Sequence, residues 1–287
     1  MSKKLKFYLF ADDTNIYFDC DSIYKLAKKV NKELKFVKKW LDANKLSLNI
    51  SKTNYVIFHS SYTMIPRDIV IKIGKKHITR ANYVKFLGLL LDENLSWKYH
   101  LSELSKKLAK TCGILFKIRS LLPTHTLINV YNSLFMSFLQ YGITVWGQTY
   151  DSYLDPIFKL QKKAVRAISH EHLVSHTLPI SKNLKLLRLQ DIFRVKILSF
   201  VYESLNKINP SCFHDFFSLN SRIHQHFTRQ SHHGNVFLTQ KNSLQYGSKS
   251  IRYLGAKMWN NLPGEIRNSA SKCSFKRNLK KFILVSF

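Results

Sequence analysis

Acidic residues are scarce in this chain. Its 287 residues hold 17 Asp and Glu against 46 Lys and Arg, a formal net charge of +29 with a pI near 10.0. An excess of that size destabilises a compact state by self-repulsion unless a polyanion screens it. Nucleic acid therefore ranks first as a partner, with an anionic membrane surface as the competing reading. Cysteine is also sparse: Cys20, Cys112, Cys212 and Cys273 are widely spaced and form no CxxC pair. That pattern points away from a zinc site or a disulfide framework and towards buried free thiols in a reducing compartment. No apolar run approaches the roughly 18 residues of a membrane span. Tandem repeats and low-complexity tracts are absent as well. The basic, then apolar, start imitates a signal peptide, but its apolar run breaks at Asp12 and Asp13 and no cleavage site follows. An intracellular protein is expected, in nucleus or cytoplasm. The length accommodates one large domain or two to three small ones.

Among the few acids, two are adjacent, in Phe10-Ala11-Asp12-Asp13 between the apolar runs Phe7 to Phe10 and Ile16 to Phe18. The pattern reads strand, acidic turn, strand. Neighbouring carboxylates repel and each prefers water or a cation. Mg²⁺ suits such a pair, since it binds through one or two carboxylates and completes its shell with water and phosphate oxygens. An ordinary acidic β-turn is the other reading.

Ile23, Leu26, Ala27, Val30, Leu34, Val37 and Leu41 recur at helical spacing, with Asp21 or Ser22 as N-cap. Lys25, Lys28, Lys29, Lys32, Lys35, Lys38 and Lys39 fall largely off that stripe, as a basic helix face should. Leu46 to Ile50 alternates like a strand, and Tyr55 to Phe58 is a second apolar run, with Lys52 at a turn or strand start between them. Ile69 to Ile73 and Val84 to Leu91 are β-rich, with Gly74-Lys75 as a turn. From Trp97 onward the spacing is helical: Leu101, Leu104, Leu108, Leu115, Ile118 and Leu122 form one stripe, ended by Pro123, and Thr124 caps the next helix. Further helices are expected at Tyr153 to Ile168, Asp191 to Leu205 and Phe275 to Leu284, and a loop-dominated segment from Asn209 to Ser250. Lys159, Lys162, Lys163 and Arg166 make a second basic face. Trp97, Tyr131, Tyr141 and Trp146 are expected in the core. Cys212, His214, His224, His226, His232 and His233 fit no standard zinc knuckle, and a polar, histidine-bearing loop is the default.

In this order the motifs resemble the C-terminal part of the reverse transcriptase of jockey-like non-LTR (LINE-type) retrotransposons. Phe10-Ala11-Asp12-Asp13 is similar to the [FY]-x-D-D hairpin of the polymerase palm. Trp40 to Asn49, then Ser51-Lys52-Thr53, resemble the helix end and N-x-x-K-T motif that follow it. Val84-Lys85-Phe86-Leu87-Gly88 with Leu91-Asp92 and Leu95-Ser96-Trp97 resembles the L-G-[IV]-x-[IL]-D…L-x-W signature. Tyr141-Gly142 with Val145-Trp146-Gly147 resembles the thumb. Leu160 to Arg166, His226 to Gln230 and Trp259-Asn260-Asn261-Leu262-Pro263 resemble the C-terminal module.

The resemblance implies an α+β fold: a partial polymerase palm of antiparallel strands with a helix over residues 1–96, a helical thumb-like region over 97–150, and a mainly helical C-terminal module over 151–287. It implies an RNA-directed DNA polymerase acting by two-metal nucleotidyl transfer, with Mg²⁺ held by Asp12 and Asp13. Its partners would be an RNA template and an RNA–DNA hybrid or DNA primer, with no membrane. Phe10 and Ala11 would shape the turn beside the primer end. Lys52 becomes a candidate general acid at the pyrophosphate leaving group or else a surface lysine. Phe86, Leu87 and Gly88 would form the primer-gripping hairpin, or Gly88 a strand bulge. Lys106, Lys107, Lys110, Lys117 and Arg119 would track backbone phosphates. The family's transfer chemistry also uses a carboxylate from a strand well upstream of the acidic hairpin, and only nine residues precede Phe10. The expectation is a fragment inactive alone, or a non-catalytic RNA- or DNA-binding protein derived from the element.

Overall fold

The computed structural model describes residues 5–20, 22–66, 68–172, 174–219, 235–236 and 249–285. They belong to two compact units, Met1–His100 and Leu101–Phe287. The expected boundary after residue 96 lies close to this division, while the one after residue 150 falls inside the second unit.

The first unit opens with a hairpin of β1 (Lys6–Phe10) and β2 (Asp13–Tyr17), paired antiparallel with Phe10 opposite Asp13. Tyr8 and Tyr17 brace it edge to face at 5.2 Å. Helix α1 (Ile23–Ala43) follows; Ser22 sits at the N-cap in extended conformation without a side-chain bond, and Asp21 lies outside the described residues. Leu34 is buried, and Ala27, Val30 and Val37 pack with it against Ile71, Ile73 and Ile78. Asn31 ties the helix to that segment: its Nδ2 donates to the Val70 carbonyl at 2.9 Å, and its Oδ1 accepts the Lys72 N–H at 2.8 Å.

Short pairs complete the unit. β3 (Asn54–Tyr55) runs parallel to β6 (Thr79–Arg80), and β4 (Lys72–Ile73) pairs antiparallel with β5 (Lys76–His77) around Gly74. β7 (Tyr83–Phe86) and β8 (Leu89–Asp92) form a second regular hairpin. The expected strand over Leu46 to Ile50 does not form. Leu46 and Leu48 are exposed, and Asn49 diverts the backbone into a 3₁₀ turn, Ile50–Lys52, by accepting the Lys52 N–H on its side chain. Local side-chain bonding of this kind competes with strand pairing.

The second unit is helical. Residue periodicity accounts for α2 (Lys98–Ile118), whose Leu101, Leu104, Leu108, Cys112 and Leu115 are buried. Pro123 in extended conformation starts α3 (Thr124–Val130), which continues through a π-helical turn, Tyr131–Met136, into α4 (Ser137–Gln140). Gly142, at φ +63°, breaks the run before α5 (Ile143–Trp146). Next come α6 (Asp151–Ile168), α7 (Thr177–Asn183) and α8 (Leu189–Leu205). After a 3₁₀ segment, Ser211–Phe216, the chain adds α9 (Ile251–Asn260), α10 (Gly264–Arg267) and α11 (Lys272–Val285).

Most of helix α8 is buried, with Gln190, Arg194 and Lys196 on its exposed edge. It packs against α4 and α5 and against α9 and α11, so helices before and after residue 150 share its core. Phe275 of α11 stacks on Tyr202 at 4.5 Å and on Trp259 at 5.8 Å. α7, α9 and α10, of seven, ten and four residues, carry too little periodicity to be read from the sequence.

Candidate metal and nucleic-acid sites

The acidic pair occupies the tip of the first hairpin. Ala11 and Asp12 form the loop, and Asp13 begins β2. Ala11 has φ +50°, a left-handed conformation that favours glycine and costs a residue with a Cβ roughly 1–2 kcal/mol. Both carboxylates are exposed, and so are Leu9 and Phe10, at 71% and 62%. Among the described residues neither aspartate makes an ion pair, and no group of three or more His, Cys, Asp or Glu could enclose a metal.. Two water-facing carboxylates nevertheless fit Mg²⁺, which takes much of its shell from water and phosphate oxygens.

Lys52 closes the 3₁₀ turn with its side chain exposed. No ion pair joins it to Asp12 or Asp13 among the described residues. Leu87 and Gly88 form the turn of the second hairpin at φ +46° and +81°. Two successive positive φ values are what a tight two-residue hairpin turn requires, so Gly88 is a turn residue rather than a strand bulge. Phe86, opposite Leu89, is half-buried.

Lys106, Lys107, Lys110 and Lys117 all lie on the exposed side of α2, opposite its buried leucines. Glu103 pairs with Lys106 at 2.6 Å, and the hydrogen bond from Lys106 together with its charge holds the Glu103 carboxyl below its ordinary range. Lys107 stands 5.6 Å from the Phe138 ring centre, and Arg119 5.3 Å from that of Phe116.

Several motif residues turn out to be structural pins. Gln161 is buried: its Nε2 donates to the Tyr131 hydroxyl at 3.1 Å and the Leu187 carbonyl at 3.0 Å, while its Oε1 accepts the Leu189 N–H at 2.8 Å. Asn260 pairs with both backbone groups of Val236, at 2.8 and 3.0 Å. The Trp146 indole donates to the Tyr141 carbonyl at 2.9 Å. Trp97, Tyr131 and Trp146 are core residues as expected, whereas Tyr141 is 54% exposed. The thiols also depart from expectation: only Cys112 is buried, Cys20 is intermediate, and Cys212 and Cys273 are exposed. The His214 Nε2 donates to the Asn209 carbonyl at 2.7 Å. His224, His226, His232 and His233, with the segment His226 to Gln230, lie outside the described residues. No helix among the described residues is long and apolar enough to cross a membrane.

The chain is similar to polymerases of mobile elements. It is 26% identical over 186 residues to the RNA-directed DNA polymerase from mobile element jockey of Drosophila melanogaster, covering 63% of this chain and 20% of that protein. It is 25% identical over 210 residues to the probable RNA-directed DNA polymerase from transposon X-element of the same fly, covering 72% and 21%. The jockey polymerase of Drosophila funebris is 23% identical over 188 residues, 64% of this chain and 20% of that protein. The chain thus spans about a fifth of the length of the curated relatives it matches. No family model matches it. No solved structure matches it either.

Proposed function

We propose that this chain, which resembles the C-terminal part of the reverse transcriptases of jockey-like non-LTR elements, is the nucleic-acid-holding end of such an enzyme. On this reading the first unit supplies the end of a palm, and the second supplies a thumb-like region and C-terminal module. The exposed Asp12–Asp13 pair at a hairpin tip, in a chain of net charge +29, carries the reading. In an intact polymerase site these carboxylates would hold Mg²⁺, whose chemistry is activation of the primer 3′-hydroxyl and neutralisation of phosphate charge. Phe10 and Ala11 would shape the surface beside the primer end, and the Leu87–Gly88 turn would approach the primer backbone. Lys52 would stand near the leaving group.

Two carboxylates do not make a two-metal site, so the isolated chain binds RNA or RNA–DNA hybrid without copying it. Lys106, Lys107, Lys110 and Arg119 contribute to that binding through phosphates, sequence-independently. The test is anisotropy of a labelled RNA–DNA hybrid across a salt series, beside primer extension on an RNA template with Mg²⁺. Binding should weaken steeply with salt, survive Asp12→Ala and need no Mg²⁺, and no extended primer should appear. Salt-independent binding would remove the electrostatic reading. Extension abolished by Asp12→Ala would show that the chain is a polymerase by itself.

A further inference from the structure

Helices α6 and α7 and the start of α8 enclose a cavity of about 230 Å³. Three of its lining side chains are cations, Lys162, Arg166 and Arg188, and among the described residues no carboxylate lines it. His176 and Ser181 add polar edges, and Phe158 forms part of the wall. Cations gathered round one hollow repel each other, and an anion relieves that repulsion.

Each cation is held by a neighbour. The Arg166 Nε donates to the Ser175 carbonyl at 2.8 Å. Asp191, wholly buried, fixes Arg188 through Nε at 2.7 Å and Nη2 at 3.5 Å. The Lys162 ammonium sits 4.3 Å from the centre of the Phe158 ring. Asp191 faces both Arg188 and Arg194, and among the described residues no carboxylate pairs with Lys162 or Arg166. Groups fixed before binding lose less freedom on binding.

The cavity is also continuous with a basic stripe. Lys159, Lys162, Lys163 and Arg166 lie at i, i+3, i+4 and i+7, one face of α6, with Lys159 at its end paired to Asp155 at 2.7 Å. From first to last they span about 10 Å at 1.5 Å per residue.

We infer that this cavity is a phosphate pocket that takes a backbone phosphodiester of a bound nucleic-acid strand, with the α6 stripe carrying the neighbouring phosphates. The inference rests on the nucleic-acid-binding reading above and assigns it a specific seat.

The full chain is titrated with labelled single-stranded RNA at several salt concentrations, beside a Lys162→Gln/Arg166→Gln variant and a Lys106→Gln/Lys107→Gln/Lys110→Gln variant. Losing two phosphate contacts should flatten the log–log salt slope by about 1.4, at 0.7 per contact on a single strand. Affinity at fixed salt should fall about tenfold or more. In the wild-type chain, photo-crosslinking to 4-thiouridine RNA should label peptides spanning 157–166 or 176–188, which guards against a variant that fails to fold. A double variant with wild-type slope and affinity, or crosslinks confined elsewhere, overturns the pocket while leaving the broader reading intact. A wild-type chain that binds no nucleic acid overturns both. Inorganic phosphate raising the melting temperature of wild type but not of the double variant, with equal RNA slopes, would assign the pocket to free phosphate and overturn the strand assignment.

Discussion

The Asp92 carboxylate accepts the backbone N–H of Trp97 at 2.8 Å. Its other oxygen accepts those of Ser96 at 2.9 Å and Asn94 at 3.3 Å. One buried anion, 3% exposed, thereby closes the loop between β8 and α2. The loop holds Leu95 at φ +51° and Trp97 at +66°, conformations that need surrounding structure to persist. The spacing L-D…L-x-W is therefore a structural device: an aspartate for three backbone donors, and a tryptophan to bury beyond them.

Replacing Asp92 with Ala should cost about 2–3 kcal/mol in urea unfolding, since it strands buried donors that a charged acceptor now satisfies. Asp92→Asn keeps one acceptor oxygen and should cost less. Equal midpoints for Asp92→Ala and wild type would show that the loop closes without its carboxylate.

Much of the site was legible because it is local. A hairpin needs only two apolar runs and a turn, so Asp12 and Asp13 could be placed at a tip from sequence alone. The 3.6-residue spacing of α2 likewise put Lys106, Lys107 and Lys110 on the outer face. What stayed hidden depends on distant partners. Gln161 reads as one more polar residue in a basic helix until Tyr131, Leu187 and Leu189 surround it. The α6–α7 cavity needs Arg188, which lies 22 positions beyond Arg166 in sequence. Leu46 to Ile50 misled because alternation ignores what Asn49 does to its own backbone.

Gly147 marks a close approach that no larger residue allows. A Cβ there would lie 2.5 Å from the Ile143 carbonyl oxygen and 2.5 Å from the Phe193 ring. Gly147→Ala should destabilise by about 1–3 kcal/mol, the usual cost of overpacking. Gly113, in α2, has open space around its Cβ position, and Gly113→Ala should stabilise by about 0.5–1 kcal/mol through helix propensity. The two chemical midpoints should move in opposite directions. A common direction would contradict the close packing of Gly147 on Phe193.

Ala11 tests the acidic hairpin. Its left-handed φ is strained with a Cβ and relaxed without one. Ala11→Gly should raise stability by about 0.5–1 kcal/mol, the relief of strain exceeding the extra freedom gained by the unfolded chain. Ala11→Val should lower it, because β-branching worsens the same clash. If valine is tolerated as well as glycine, the turn does not hold this conformation.

Stability should fall in alkali, and Cys112 supplies the first reason. Burial pushes its thiol up from the ordinary 9.0 to about 11, against smaller opposite pulls from Lys163 and the Ala164 backbone. Between those values the unfolded chain has released the proton and the folded one still holds it. The stabilisation is therefore intact below pH 9 and lost as pH climbs towards 11, by at most about 1.4 kcal/mol per pH unit. Tyr131, raised mainly by burial, adds to the same decline above pH 10. Urea midpoints at pH 7, 8.5 and 10 should be level between the first two and lower at the third. Cys112→Ala should flatten the part of the fall between pH 9 and 10. At pH 8 a thiol reagent should titrate the exposed Cys212 and Cys273 quickly and reach Cys112 only on unfolding. An unchanged pH slope in Cys112→Ala, or rapid labelling of Cys112 in the folded chain, would remove the thiol from this account.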